Sequence, residues 1–106
     1  MPKEQSNIRQ RTRHALREPD MYKVIMHNDD FTPMEFVVML LKTVFLKPGE
    51  EATQLMLTVH KRGQAVVGEY TYDMANTKSQ KAMRMAREAG FPFKLTIEPI
   101  VTDLPF

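Results

Sequence analysis

Asn28-Asp29-Asp30-Phe31-Thr32-Pro33-Met34-Glu35-Phe36 joins a strand exit, an acidic turn and a helix start within nine residues. The three consecutive Asn and Asp residues are turn chemistry, because their side chains bond nearby backbone and tolerate left-handed φ/ψ. Thr32 is read as an N-cap, Pro33 as the first helical residue, where a missing N–H is no loss, and Glu35 as the partner that closes a capping box. The acidic residues therefore sit on a short loop between two rigid elements, which is where a binding group is best held.

Working outward, residues 21–27 carry apolar side chains on both alternating faces, Tyr22, Val24 and Met26 on one and Ile25 on the other, as in a central strand. Downstream, Phe36, Val37, Leu40, Leu41 and Val44 recur at helical spacing, predicting a helix over 32–46. Lys47-Pro48-Gly49 interrupts it. A second helix is expected over 48–61 from the spacing of Ala52, Leu55, Met56 and Val59, stopped by Gly63. Residues 64–72 read as a strand with a bulge at Gly68. Thr71 or Asp73 caps a third helix to about Ala89, with an apolar face of Ala75, Ala82, Met85, Ala86 and Ala89 and a stop at Gly90. Residues 93–98 alternate as a last, half-buried strand.

The order β-α-α-β-α-β predicts an α+β fold, a two-layer sandwich. If each element reverses direction and the first strand is central, all strand pairs are antiparallel, the third helix crosses over to join the two edges, and the three helices cover one face. A chain of 106 residues supports one such domain, assigned to 20–98, between an arm at 1–19 and an extension at 99–106.

Net charge divides unevenly, about +3 on residues 1–19 and −1 on the remainder, so the body carries no footprint for phosphate and the arm reads as flexible and solvated. Neither nucleic acid nor membrane is expected as a partner of the body. With no cysteine, no membrane-spanning apolar run and no secretory leader, a cytoplasmic location is expected.

No Gly-rich phosphate loop, nucleophile elbow or zinc-protease motif is present, so no enzyme and no cofactor are expected. His60 lies on the apolar side of the second helix and, taken by itself, reads as a partly buried structural residue that also favours the helix dipole. A metal site of His27, Asp29, Asp30 and His60 finds no support in ligand spacing. If the first two helices pack as a hairpin, His60 approaches residues 28–34. Carboxylate, amide and imidazole acceptors then rim a surface lined by Met34, Val37, Met56, Val59 and Phe93, which suits a cationic donor head on an apolar body.

Met21-Tyr22-Lys23-Val24-Ile25, the Asn28 to Val37 run and Ala52-Thr53-Gln54-Leu55-Met56-Leu57-Thr58-Val59-His60 resemble ClpS, the adaptor that hands N-degron substrates to the Clp protease. The likeness continues through Gly68, Thr77-Lys78 and Ala86-Arg87-Glu88 to Leu95-Thr96-Ile97-Glu98 without an evident gap. The fold it implies, shared with the C-terminal domain of the ribosomal stalk protein, is the sandwich reached above. The resemblance implies that Asn28, Asp29 and His60 hold a protein's free α-amino group, with Asp30 beside the amine site. It places Met34 at a gate disfavouring β-branched first residues, and Thr32, Val37, Met56, Val59 and Phe93 at the walls of a pocket for Leu, Phe, Tyr or Trp. Asp73 and Lys78 fall where the family contacts the N-terminal domain of the ClpA or ClpC unfoldase, and the arm lies where its tail engages that machine. A monomer is expected. Phe93 fills a wall position often held by a smaller aliphatic, and 99–106 extends past the family's usual end. The competing classes are a stalk-type protein-interaction domain without an amine pocket and an RNA binder using the arm.

Overall fold

Three strands and three helices alternate along the computed structural model, which describes residues 20–101: β1 (Met21–His27), α1 (Met34–Thr43), α2 (Gly49–Arg62), β2 (Gln64–Thr71), α3 (Tyr72–Glu88) and β3 (Lys94–Pro99). The expected arm at 1–19 and residues 102–106 of the extension lie outside the described residues. The sheet order is β2-β1-β3 with both pairings antiparallel, the α+β arrangement expected from the chain order.

Strand alternation sends Tyr22, Val24 and Met26 inward, and the inward faces of β2 and β3 add Ala65, Val67, Leu95 and Ile97. Leu40 and Leu41 of α1 are fully buried against this layer, each worth about 1.5–3 kcal/mol of apolar transfer. In α3 the buried positions are Ala75, Ser79, Ala82 and Ala86, and these small side chains let the helix lie across all three strands. Ser79 replaces Ala89 in the expected face, because Ala89 is already beyond the helix and exposed. The Ser79 hydroxyl is buried and finds no hydrogen-bond partner among the described residues.

Several local expectations are corrected. The first helix begins at Met34, with Pro33 preceding it and accepting from Phe36 and Val37 N–H at 3.0 and 3.1 Å. No capping box forms from Thr32 and Glu35, because the Thr32 hydroxyl donates to Asp29 instead. The helix ends at Thr43, and the chain turns through Leu46, a non-glycine residue at φ 54°. Lys47 N–H then reaches back six residues to the Leu41 carbonyl at 2.9 Å, one residue wider than a Schellman closure, and Leu46 holds a left-handed conformation that normally belongs to glycine. That backbone conformation costs a side-chain-bearing residue about 1–2 kcal/mol.

The bulge in β2 falls at Val67, since Val24 pairs with Gly68 and Ile25 with Val66. Gly68 is required for a different reason: a Cβ there would stand 2.8 Å from the Tyr70 hydroxyl, whose ring folds back over the strand. Burial, helped by the Glu51 carboxylate, pushes the Tyr70 phenol above its ordinary 10.0. Finally, β3 runs to Pro99 and pairing continues as Ile100 N–H donates to the Met21 carbonyl at 2.9 Å. An edge strand tolerates the proline.

Candidate functional site

A chain reversal at Gly63 sets the geometry of the site. Gly63 adopts φ 88°, closes α2 by donating its N–H to the Val59 carbonyl at 2.8 Å, and accepts the Asn28 N–H at 2.9 Å. The exit of β1 is thereby bonded to the end of α2, and His60, one turn earlier, is brought beside Asn28. Sequence reasoning reached the same neighbourhood through a helix hairpin; the strand register, pairing His27 with Gln64, supplies a shorter route.

The loop after β1 is shaped by Asp29. Its Oδ1 accepts the N–H groups of Phe31 at 2.8 Å and Thr32 at 2.6 Å, and Oδ2 accepts the Thr32 hydroxyl at 2.8 Å. An ionised carboxylate offers about four acceptor positions, so roughly one remains for a ligand. The Asn28 amide and the His60 imidazole are exposed and make no hydrogen bond among the described residues.

Between these groups lies a cavity of about 280 Å³. Val37, Val59 and Phe93 form its buried walls, together with Met26 at its base. Half-buried Met56 and Thr32 and the more exposed Met34 stand nearer the mouth, and Asn28, Asp29, Asp30 and His60 complete the lining. An edge-to-face contact at 4.9 Å between Phe36 of α1 and Phe91 pins the segment after α3, which places Phe93. All ten residues expected at the amine site, wall and gate therefore border one cavity. His60 is a rim residue rather than a partly buried one. Sequence reasoning missed Met26, His27 and Pro33 in this lining, although the inward phase of β1 carried the signal for Met26.

The cavity lies at the small end for ligand sites, suited to one large side chain rather than a whole cofactor. Among the described residues no Lys or Arg lines it, so acceptors dominate its polar side. Among the described residues no three His, Asp or Glu side chains are grouped to hold a metal. His27, also in the lining, is bonded through Nε2 to the Thr96 hydroxyl at 2.7 Å.

Asp73 and Lys78 lie elsewhere, on α3. Asp73 is exposed in the first turn, whereas Lys78 donates to the Val44 carbonyl at 3.0 Å and lies over the Tyr70 ring, 5.8 Å from its centroid. No helix among the described residues is long and apolar enough to cross a membrane.

The family model described as ATP-dependent Clp protease adaptor protein ClpS matches residues 17–96. The ATP-dependent Clp protease adapter proteins ClpS of Burkholderia cenocepacia (strain HI2424) and Burkholderia pseudomallei (strain 668) are each 48% identical over 96 residues, spanning 91% of this chain and 92% of the relative. Among solved structures, that of Agrobacterium tumefaciens ClpS2 bound to L-phenylalaninamide matches with a TM-score of 0.76 at 43% identity, covering 78% of this chain and 100% of that one. A sandwich of this topology, a cavity rimmed by acceptors and relatives matched along nearly the whole chain converge, and the chain belongs to the ClpS family of Clp protease adaptors.

Proposed function

We propose that this protein binds the free α-amino group and the bulky hydrophobic first side chain of N-degron proteins, and delivers them to the ClpA or ClpC unfoldase. The observation that carries the proposal is the single cavity in which unpartnered Asn28 and His60 groups and the loop-held Asp29 carboxylate stand over walls of Val37, Met56, Val59 and Phe93. The relative solved with L-phenylalaninamide supports it, since that ligand joins a free amine to a benzyl side chain.

An α-ammonium is a cation with three donors, and the Asn28 amide oxygen, an Asp29 carboxylate oxygen and a neutral His60 nitrogen are three acceptors that match it. Charge-assisted bonds contribute about 1.5–3 kcal/mol each and burial of one large side chain a similar amount. After association costs, an affinity near micromolar follows, weak enough for release. Met34, about half exposed at the mouth, would crowd a branch at Cβ of the first residue and so act as the gate. Asp30 adds negative potential beside the amine, and Thr32 holds Asp29 in place.

No reaction is required of these residues: the one hydroxyl bonded to Asp29, that of Thr32, serves to hold the loop, and we read the protein as a binding adaptor without catalysis or cofactor. It would act in the cytoplasm, as a monomer, with Asp73 and Lys78 meeting the unfoldase's N-terminal domain. The proposal is tested with a reporter protein beginning Leu or Phe and a Clp protease assembled with ClpA or ClpC. Adding the chain should speed degradation of that reporter and not of one beginning Ser. Equal effects on both would contradict it.

A further inference from the structure

We propose that Phe91 is a positioning residue for the cavity: braced on Phe36, it sets where the Phe93 wall stands and so how wide a first side chain the cavity takes. The inference rests on the adaptor function proposed above and adds to it what fixes the cavity's size. Neither Phe36 nor Phe91 lines the cavity, so both act at one remove from a ligand.

Phe93 is held between two anchors. On its far side β3 begins at Lys94, and antiparallel pairing sets Lys94 against His27 and Leu95 against Met26, the residue at the cavity base. On its near side α3 closes in a Schellman motif: Gly90 takes φ 84°, its N–H donates to the Arg87 carbonyl at 2.9 Å, and the Phe91 N–H donates to the Ala86 carbonyl at 2.8 Å. The backbone of Phe91 is thus tied to a helix end. Its ring meets that of Phe36 edge to face, with centroids 4.9 Å apart and planes at 67°, a geometry that aromatic pairs favour. Phe36 immediately precedes Val37, the wall contributed by α1. One contact therefore sets the spacing between two walls, Val37 and Phe93.

Pro92 makes the link to Phe93 stiff. It fixes its own φ and keeps Phe91 out of the α region, so the short segment has few alternatives. Half-buried Phe91, exposed Pro92 and buried Phe93 alternate as an extended chain does, sending both rings inward. With Phe91 braced, Phe93 does not back away from an entering side chain, and the cavity of about 280 Å³ stays narrow. Such a wall grips Leu or Phe and penalises the wider indole of Trp.

The test measures, by fluorescence anisotropy on the full-length chain, the affinities of peptides that differ only in a first residue of Leu, Phe or Trp, with Tm followed for each variant. Phe91→Ala should weaken Leu binding and raise the Trp-to-Leu affinity ratio about ten-fold, the discrimination that a small change in an apolar pocket carries. Should that variant fold poorly, Phe91→Leu takes its place, with a smaller shift of the same sign. Phe91→Tyr, which keeps the ring, should keep the wild-type ratio. Phe36→Leu should raise the ratio too, and combining it with Phe91→Ala should raise it no further, because the same contact is already lost. Phe93→Leu, at the wall itself, should move the ratio the same way. An unchanged ratio in the Phe91 variants, with or without a uniform loss across the three peptides, would make Phe91 merely structural and overturn the assignment while the adaptor function stands. A wild-type chain that binds none of the three peptides would remove both.

Discussion

Three of the Asp29 acceptor positions are taken by Phe31 and Thr32, so the carboxylate that would meet an ammonium is held still by its own loop. The Asn-Asp-Asp run is at once a turn and a rim, and its turn chemistry gave no means of choosing between them. Thr32 was legible as important, but its hydroxyl serves Asp29 rather than the helix start, an alternative that residue spacing does not distinguish. Among the described residues His60 has no hydrogen-bond partner, so its ring nitrogen is free to meet an amine. His60→Ala should weaken peptide affinity by about ten-fold in anisotropy, the loss of one hydrogen bond to a charged group. Unchanged affinity in that variant would remove His60 from the amine site. Ser79 is independent of the site. Replacing its unpartnered hydroxyl by Ser79→Ala should raise stability by about 1 kcal/mol, read from the urea midpoint, without altering peptide affinity.

Gly63 joins an element boundary to the cavity. Its positive φ ends α2, and its carbonyl takes the Asn28 N–H, so one residue sets both the last turn carrying His60 and the exit of β1. Gly63→Ala should destabilise the fold by about 1–2 kcal/mol and weaken peptide binding, as measured by denaturation and anisotropy on the same preparation. A neutral result in both would show that this junction does not hold the site. The helix stop at Gly63 was readable because glycine there has a local cause, and the strands were readable from alternation. The ends of α1 were not, because a side chain turned to Asp29 and a leucine in a glycine's conformation both break local rules. The Val67 bulge likewise depends on the β1 partner strand, which β2's own residues do not reveal.

Across the whole molecule, the cavity is assembled from segments far apart in the chain: the end of β1 and the loop after it, α1, the second half of α2 and the entry to β3. Strand order, antiparallel pairing and the placement of helices followed from the element order once apolar residues on both faces of 21–27 marked that strand as central, because few unknotted arrangements bury three amphipathic helices on three strands. The cavity's occupant did not: residue chemistry reached a cation on an apolar body, and resemblance narrowed this to an N-terminus. That step is the central claim, and the direct measurement is anisotropy with one peptide beginning Phe, compared with the same peptide acetylated at its α-amino group. Free-amine recognition predicts near-micromolar binding of the first and at least a hundred-fold loss for the second, about 2.7 kcal/mol. Equal affinity for the two peptides would contradict it.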